Sequence, residues 1–201
     1  MAGEIQLNGT SFASESSGTI TVNNGTLSSS VVFPAGHVIQ TKIIKESSAY
    51  GPFSTQGDNY TGIDISFDNN LASTNSTVLI ESSIQYDIAN NAGIGFTWAS
   101  SSSTLTGNKI GVDGSNITNF SIGVTPYFST VRHGDTISFF AHDTNITSTT
   151  SKTYYLWLIN TTTAGAYINY HVDKAFAAEL GTGSYWSGSA TSVFKLTEIA
   201  G

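Results

Sequence analysis

Histidine is the side chain that exchanges protons near neutral pH, and this chain has four: His37, His133, His142 and His171. His133 with Asp135 in "RHGD", and His142 with Asp143 in "AHD", have the residue types of a base beside a carboxylate that orients it. Serine is so abundant that any of these histidines would find a hydroxyl nearby, which makes the pattern weak. No G-x-S-x-G elbow and no H-E-x-x-H pair occurs. "AHD" also closes an alternating strand, where a polar rim residue is the ordinary outcome. Scattered aspartates invite pairing as glycosidase carboxylates, but in a β fold linear spacing says little about spatial separation. "DGSN", residues 113–116, resembles the opening of a calcium loop and lacks the later Gly and terminal Glu, so a turn is the expectation. "GTGSYWSG", residues 181–188, neither opens a helix nor carries a lysine, as a phosphate cradle would. Its Tyr185 and Trp186 read equally as an exposed contact or as a plug over the end of a sandwich. We therefore expect no enzyme: no catalytic residue, no cofactor and no metal.

The composition points the same way. Charged residues make up 10% of the 201 positions, and Ser, Thr, Asn and Gly supply the polarity instead. The net charge is −7, with no run of Lys or Arg to neutralise phosphates, so nucleic acid and anionic membranes are not expected partners. The absence of cysteine removes disulfides, thiolate metal sites and thiol nucleophiles. "MAGEIQLNGT" has neither a basic n-region nor an apolar h-region, from which we expect synthesis in a cytosol without Sec export. Six N-x-S/T triplets, at Asn8, Asn24, Asn75, Asn116, Asn145 and Asn160, then read as accidents of composition.

The elements that must position these residues are strands. Ile63, Ile65 and Phe67 alternate with Asp64, Ser66 and Asp68, and Val78, Ile80, Ile84, Tyr86 and Ile88 oppose Glu81, Ser83, Gln85 and Asp87. Further sets are Ile94, Phe96 and Trp98; Phe120, Ile122 and Val124; Ile137, Phe139 and Ala141; and Ile168, Tyr170 and Val172. Turn-forming clusters bound each set, and the near absence of helical periodicity predicts an all-β antiparallel sandwich or barrel. "DKAFAAELG" is the one helix candidate, capped by Asp173 and closed by Gly181. "TYYLWLIN" is apolar on both faces, so Tyr155, Trp157 and Ile159 need a cover: either a loop of the same chain or a second subunit. The first 30 residues hold Ile5, Leu7 and Phe12 but little else that is apolar, and we expect an arm that orders on a partner. The closing "SVFKLTEIAG" reads as a half-buried strand in which Ile199 falls on the wrong parity, so that either a bulge follows or both faces become covered near the end; we expect Ile199 to be buried by the arm or by a neighbouring subunit.

Three stretches together resemble a family common in phage virions, especially those of cyanophages and other marine phages. They are "VVFPAGHVIQ" at residues 31–40, "YTGIDISFDNNLASTNSTVLIESSIQYDI" at residues 60–88, and the final "LTEIAG". Thr61, Gly62 and Ile63 match that family's T-G-L strand, and Val78, Leu79 and Ile80 its K-V-L-V strand; Asp68 and Asn69 replace the usual proline-serine turn, and Thr197 stands where Met is frequent. The resemblance spans roughly residues 31–201. It implies a jelly-roll head similar to those of tumour necrosis factor and C1q, assembling as a homotrimer on a virion. On that reading residues 1–30 form an attachment arm, with Ile5, Leu7 and Phe12 as candidate contacts to a major capsid protein. Residues 31–201 form the head, with Tyr155, Trp157, Ile159 and Ile199 as candidate subunit-interface residues. The function implied is a capsid decoration or cement protein; the alternative is a tail-fibre or spike head that binds a host-surface glycan or protein.

Overall fold

A strand with one apolar face must bury that face against a second layer. In the computed structural model the alternating strands do so as two antiparallel sheets around one core. The structure describes residues 3–7, 10–16, 19–22, 34–88, 93–111, 123–124, 133–163, 165–173 and 186–201. The chain divides into two units, Met1–Phe33 and Pro34–Gly201. In the first unit β1 (Gly3–Leu7), β2 (Thr10–Ser16) and β3 (Thr19–Val22) form a three-stranded antiparallel sheet. The residues read from the sequence as an arm thus include a meander of paired strands.

The second unit contains β4 (Val38–Glu46), β5 (Tyr50–Phe53), β6 (Gly57–Ser66), β7 (Thr77–Ile88), β8 (Ile94–Ala99) and β9 (Gly123–Val124). It continues with β10 (His133–Asp143), β11 (Thr153–Asn160), β12 (Ala166–Ile168), β13 (Tyr170–Asp173), β14 (Trp186–Ser189) and β15 (Ser192–Ile199). β7 organises the larger sheet. One of its edges pairs with β10 along its length, while the other is shared, β15 taking residues 77–83 and β12 residues 86–88. β4 lies outside β15, and β5 outside β12. The second sheet runs β6-β11-β8-β9, and β13 pairs with β14. Counting β4, β6, β7, β8, β9, β10, β11 and β15 as strands one to eight, one sheet has the order one-eight-three-six and the other two-seven-four-five.

The expected inward sets are the core. Ile63, Ile65 and Phe67, Val78, Ile80, Ile84 and Ile88, Ile94, Phe96 and Trp98, and Phe194 and Leu196 are all buried in one cluster drawn from both sheets. A polar residue, Ser82, occupies the core parity of β7, and Trp98 explains it. The indole Nε1 of Trp98, from the opposite sheet, donates to Ser82 Oγ at 2.8 Å, while the ring meets Phe194 edge-to-face at 5.4 Å. A buried indole N–H left without an acceptor would cost about 1–3 kcal/mol. Gly62 has φ of 85° where β6 and β11 lose register between Tyr155 and Trp157, a conformation that favours glycine.

Two expectations change at the C-terminal third. The set Ile168, Tyr170 and Val172 is not one strand, because Asn169 adopts φ of 56° and separates β12 from β13. The helix candidate lies outside the described residues, apart from Asp173, which ends β13. Asn169 is fully buried and its hydrogen bonding is dense. Its Nδ2 donates to the Glu46 and Ser48 carbonyls at 2.8 and 3.1 Å, and its Oδ1 accepts from Ser192 Oγ at 2.6 Å. Asparagine combines tolerance of the left-handed region with an amide that joins three segments. We expect Asn169→Ala to cost about 3 kcal/mol and Asn169→Gly about 2 kcal/mol in urea denaturation, glycine sparing the backbone term but not the lost hydrogen bonds. Equal losses would show that backbone strain contributes nothing at this position.

Candidate functional site

The residues singled out in the sequence fall in separate places. Ile5 and Leu7 lie on β1 and Phe12 on β2 of the first unit. His133 and His142 stand at opposite ends of β10, facing Ile88 and Leu79 of β7, so about 30 Å of strand separates them. They do not converge with Asp135 and Asp143 on one centre. Of the aromatic pair Tyr185 and Trp186, Trp186 opens β14 and Tyr185 lies outside the described residues, as do residues 113–116.

The double-faced strand is β11. Its second apolar face is covered by the chain itself: Trp157 and Ile159 are buried with Ala99 and Leu105, and Tyr60 and Tyr155 pack against them. The covering segment is pinned by Trp157 Nε1 donating to the Ser101 carbonyl at 2.9 Å, by the Ser100 N–H on the Asn108 carbonyl, and by the Ile110 N–H on the Trp98 carbonyl. The uncovered apolar area that suggested a subunit interface at Trp157 and Ile159 is therefore absent. Tyr155 remains half-buried, edge-on to Tyr60 at 5.9 Å.

Exposed apolar area lies instead on the outer face of the larger sheet. Val38, Ile43 and Phe140 are 56%, 62% and 63% exposed. The registers place Ile43 opposite Lys195, Lys195 opposite Glu81, and Glu81 opposite Phe140, one row across β4, β15, β7 and β10. A Lys195–Glu81 ion pair at 2.6 Å sits in the middle of that row, with an exposed apolar side chain at each end. Ile199 lies on the same face, opposite Val38, and is half-buried. Ile199 falls on the parity opposite to Phe194 and Leu196, as expected, and a register shift accompanies it. β15 pairs with β7 without interruption, and the register shift falls against β4, where Ile39 is the extra residue. Glu198, not Ile199, occupies the core parity. It is fully buried; its Oε1 accepts from the Ala72 N–H and Ser76 Oγ, both at 2.7 Å, and its Oε2 from Gln40 Nε2 at 2.6 Å. Neutral donors thus satisfy a carboxylate in place of a cation.

A second buried carboxylate, Asp143, closes β10. It accepts from Lys152 Nζ at 2.6 Å, Tyr154 Oη at 3.1 Å and the Asn145 N–H at 3.0 Å. Burial, reinforced by the Asp143 charge, raises the Tyr154 phenol above the ordinary tyrosine range. Next to this network lies a cleft of about 230 Å³ between residues 107–111 and 142–145, lined by Asn108, Lys109, His142, Asn145 and Lys152. Sequence reasoning named His142 and Asp143 but missed Lys109, Asn145 and Lys152. No linear signal joins them, since Lys109 comes from the loop after β8 and Asn145 and Lys152 from the loop between β10 and β11. The outward apolar row left a weak signal in "FF", residues 139–140: adjacent phenylalanines on a strand cannot both face the core.

Comparison with known protein families and with curated proteins finds no match to this chain. Among the described residues no group of His, Cys, Asp and Glu is placed to hold a metal ion, and no helix is long and apolar enough to cross a membrane.

Burial, with the Asp135 charge adding to it, pushes the Tyr86 phenol up to about 12. An unfolded tyrosine ionises near pH 10, so above that pH the unfolded chain releases a proton that the folded chain retains until about pH 12. Stability is therefore intact below pH 10 and lost as the pH climbs through this window. Urea midpoints at pH 9 and 11 should fall in the parent chain and fall less in Tyr86→Phe; equal declines would assign the alkaline loss to other groups.

Proposed function

We propose that this chain is a phage virion structural protein, a capsid decoration or cement protein that attaches through its N-terminal residues and stabilises the capsid as a homotrimer. One observation carries the reading. The order one-eight-three-six and two-seven-four-five matches the way an eight-stranded jelly roll distributes its strands between two sheets, the architecture that the resemblance implies. The motifs of the resemblance also meet in space. Residues 36–40 and 198–200 pair through the Gln40–Glu198 register, the Gly36 N–H on the Ala200 carbonyl at 2.7 Å and the Ala200 N–H on the His37 carbonyl at 2.8 Å.

For the homotrimer, the supporting feature is the outward face of the larger sheet. Exposed apolar side chains that flank an ion pair suit a partly polar subunit contact better than open solvent. This moves the proposed interface from Trp157 and Ile159 to Val38, Ile43, Phe140 and Ile199. Ile5, Leu7 and Phe12 remain the proposed contacts to a major capsid protein. A tail-fibre or spike head is the second reading, and the polar cleft beside β10 is the observation that favours it.

In sedimentation equilibrium the isolated chain should run at three times its own mass, and Ile43→Asp combined with Phe140→Asp should convert it to a folded monomer. A monomeric parent chain would remove the trimer. On particles, a copy number comparable to that of the major capsid protein supports decoration, whereas a handful of copies supports the fibre. Removing residues 1–22 should abolish capsid association and leave the trimer; retained association would place the attachment elsewhere.

A further inference from the structure

The cleft beside β10 carries an arrangement that the virion reading does not use. The chain has only seven basic residues against 14 acidic ones, yet two of the seven, Lys109 and Lys152, line this one cavity. They are brought together by a close approach of backbones. Gly111, with φ of 74°, lies so near β10 that a Cβ there would stand 3.1 Å from the His142 nitrogen and 3.3 Å from its carbonyl oxygen. Residue 111 must therefore be glycine for the 107–111 segment to lie along the edge of β10 and present Lys109 beside His142. Lys109 is further placed by the Ala99–Lys109 bridge, and the loop before it by Asn108 Nδ2 donating to the Thr104 and Thr106 carbonyls at 3.2 Å each.

The cavity's polar groups divide into two sets. Asp143 and Lys152 are engaged with each other, and Lys152 also donates to the Asn145 carbonyl at 3.2 Å. By contrast, the Lys109 ammonium, the His142 imidazole and the Asn145 side-chain amide make no hydrogen bond or ion pair among the described residues. Among the described lining residues, Asp143 is matched to Lys152 and the Lys109 charge is left over, so that lining is positive in a protein of net charge −7. Among the described residues, one cation, one imidazole and one amide without partners around about 230 Å³ of mostly polar wall fit a ligand with one anionic group and several hydroxyls. A cavity below the roughly 300 Å³ of drug-sized pockets has room for a single ring.

We infer that this cleft is a binding site for an acidic saccharide, with Lys109 receiving the carboxylate of a uronic acid or similar sugar acid, and His142 and Asn145 its hydroxyls. The recognition is local to the head. It holds whether the protein decorates a capsid or tips a fibre, and it is read on the isolated protein, so failure of the virion reading leaves it standing and the reverse.

The test is a titration of the isolated full chain, followed by amide NMR shifts, with glucuronate, glucose and inorganic sulfate. Glucuronate should bind and move signals of residues 107–111 and 142–145, with glucose and sulfate each binding more weakly. Lys109→Glu should weaken glucuronate roughly tenfold or more, the share that a lost charge-assisted hydrogen bond carries, with the thermal midpoint unchanged because the side chain has no partner among the described residues. His142→Ala should weaken it less. Equal binding of glucose and glucuronate, or of sulfate and glucuronate, overturns the inference: the first removes the role of the charge and the second that of the sugar. Absence of glucuronate binding, shifts confined to other residues, or undiminished binding in a folded Lys109→Glu variant overturns it as well.

Discussion

The two sheets are tied where Trp98 crosses between them. Burial strips water from the indole N–H, and the group must then find an acceptor inside the core. Ser82 provides it from β7, at a position where the strand pattern calls for an apolar residue, and Phe194 of β15 fits its ring against the same indole. This contact constrains more than one residue pair. A one-residue slip of β8 would turn Trp98 to the opposite face, lose the hydrogen bond and take Ile94 and Phe96 out of the core with it. The registers of β8, β7 and β15 are therefore consistent with one another or not satisfied at all.

The same requirement, met with polar groups, closes the other end of β15. Glu198 points inward with Phe194 and Leu196, and no cation accompanies it. Its oxygens collect donors from β4, from the loop before β7 and from the backbone at Ala72. Removing any one donor would leave a buried carboxylate under-satisfied, so the residues between β6 and β7 are tied to the closing strand through Ala72 and Ser76. The opening and closing motifs of the chain, far apart in sequence, form one structural piece around this carboxylate.

Covering and exposure are divided between the sheets. The smaller sheet has its outer face sealed by residues 99–110 over Trp157 and Ile159, while the larger sheet leaves Val38, Ile43 and Phe140 open to solvent. The sealing segment then continues past Ile110 to the edge of β10, where Gly111 sets Lys109 beside His142. One loop thus completes a hydrophobic cover and builds a polar cleft, which is why neither feature is visible from strand patterns alone.

What the sequence by itself determined is the class of structure: period-2 alternation at Ile63–Ile65, Val78–Ile88 and Phe194–Leu196 leaves each strand one face to bury, and no helix can meet that demand. It also carried the doubled apolar face of β11, although not what covers it. Tertiary structure decided the rest. Parity shows that a residue faces inward but not whether a polar one there is a defect, and only the fold reveals Trp98 over Ser82 and three donors around Glu198. The bulge near Ile199 belongs to β4 because register is a property of two strands, and one strand's sequence cannot assign it. Lys109, His142, Asn145 and Lys152 converge because Gly111 allows two backbones to approach within contact distance. Through-space proximity of that kind leaves no periodic trace in a linear chain.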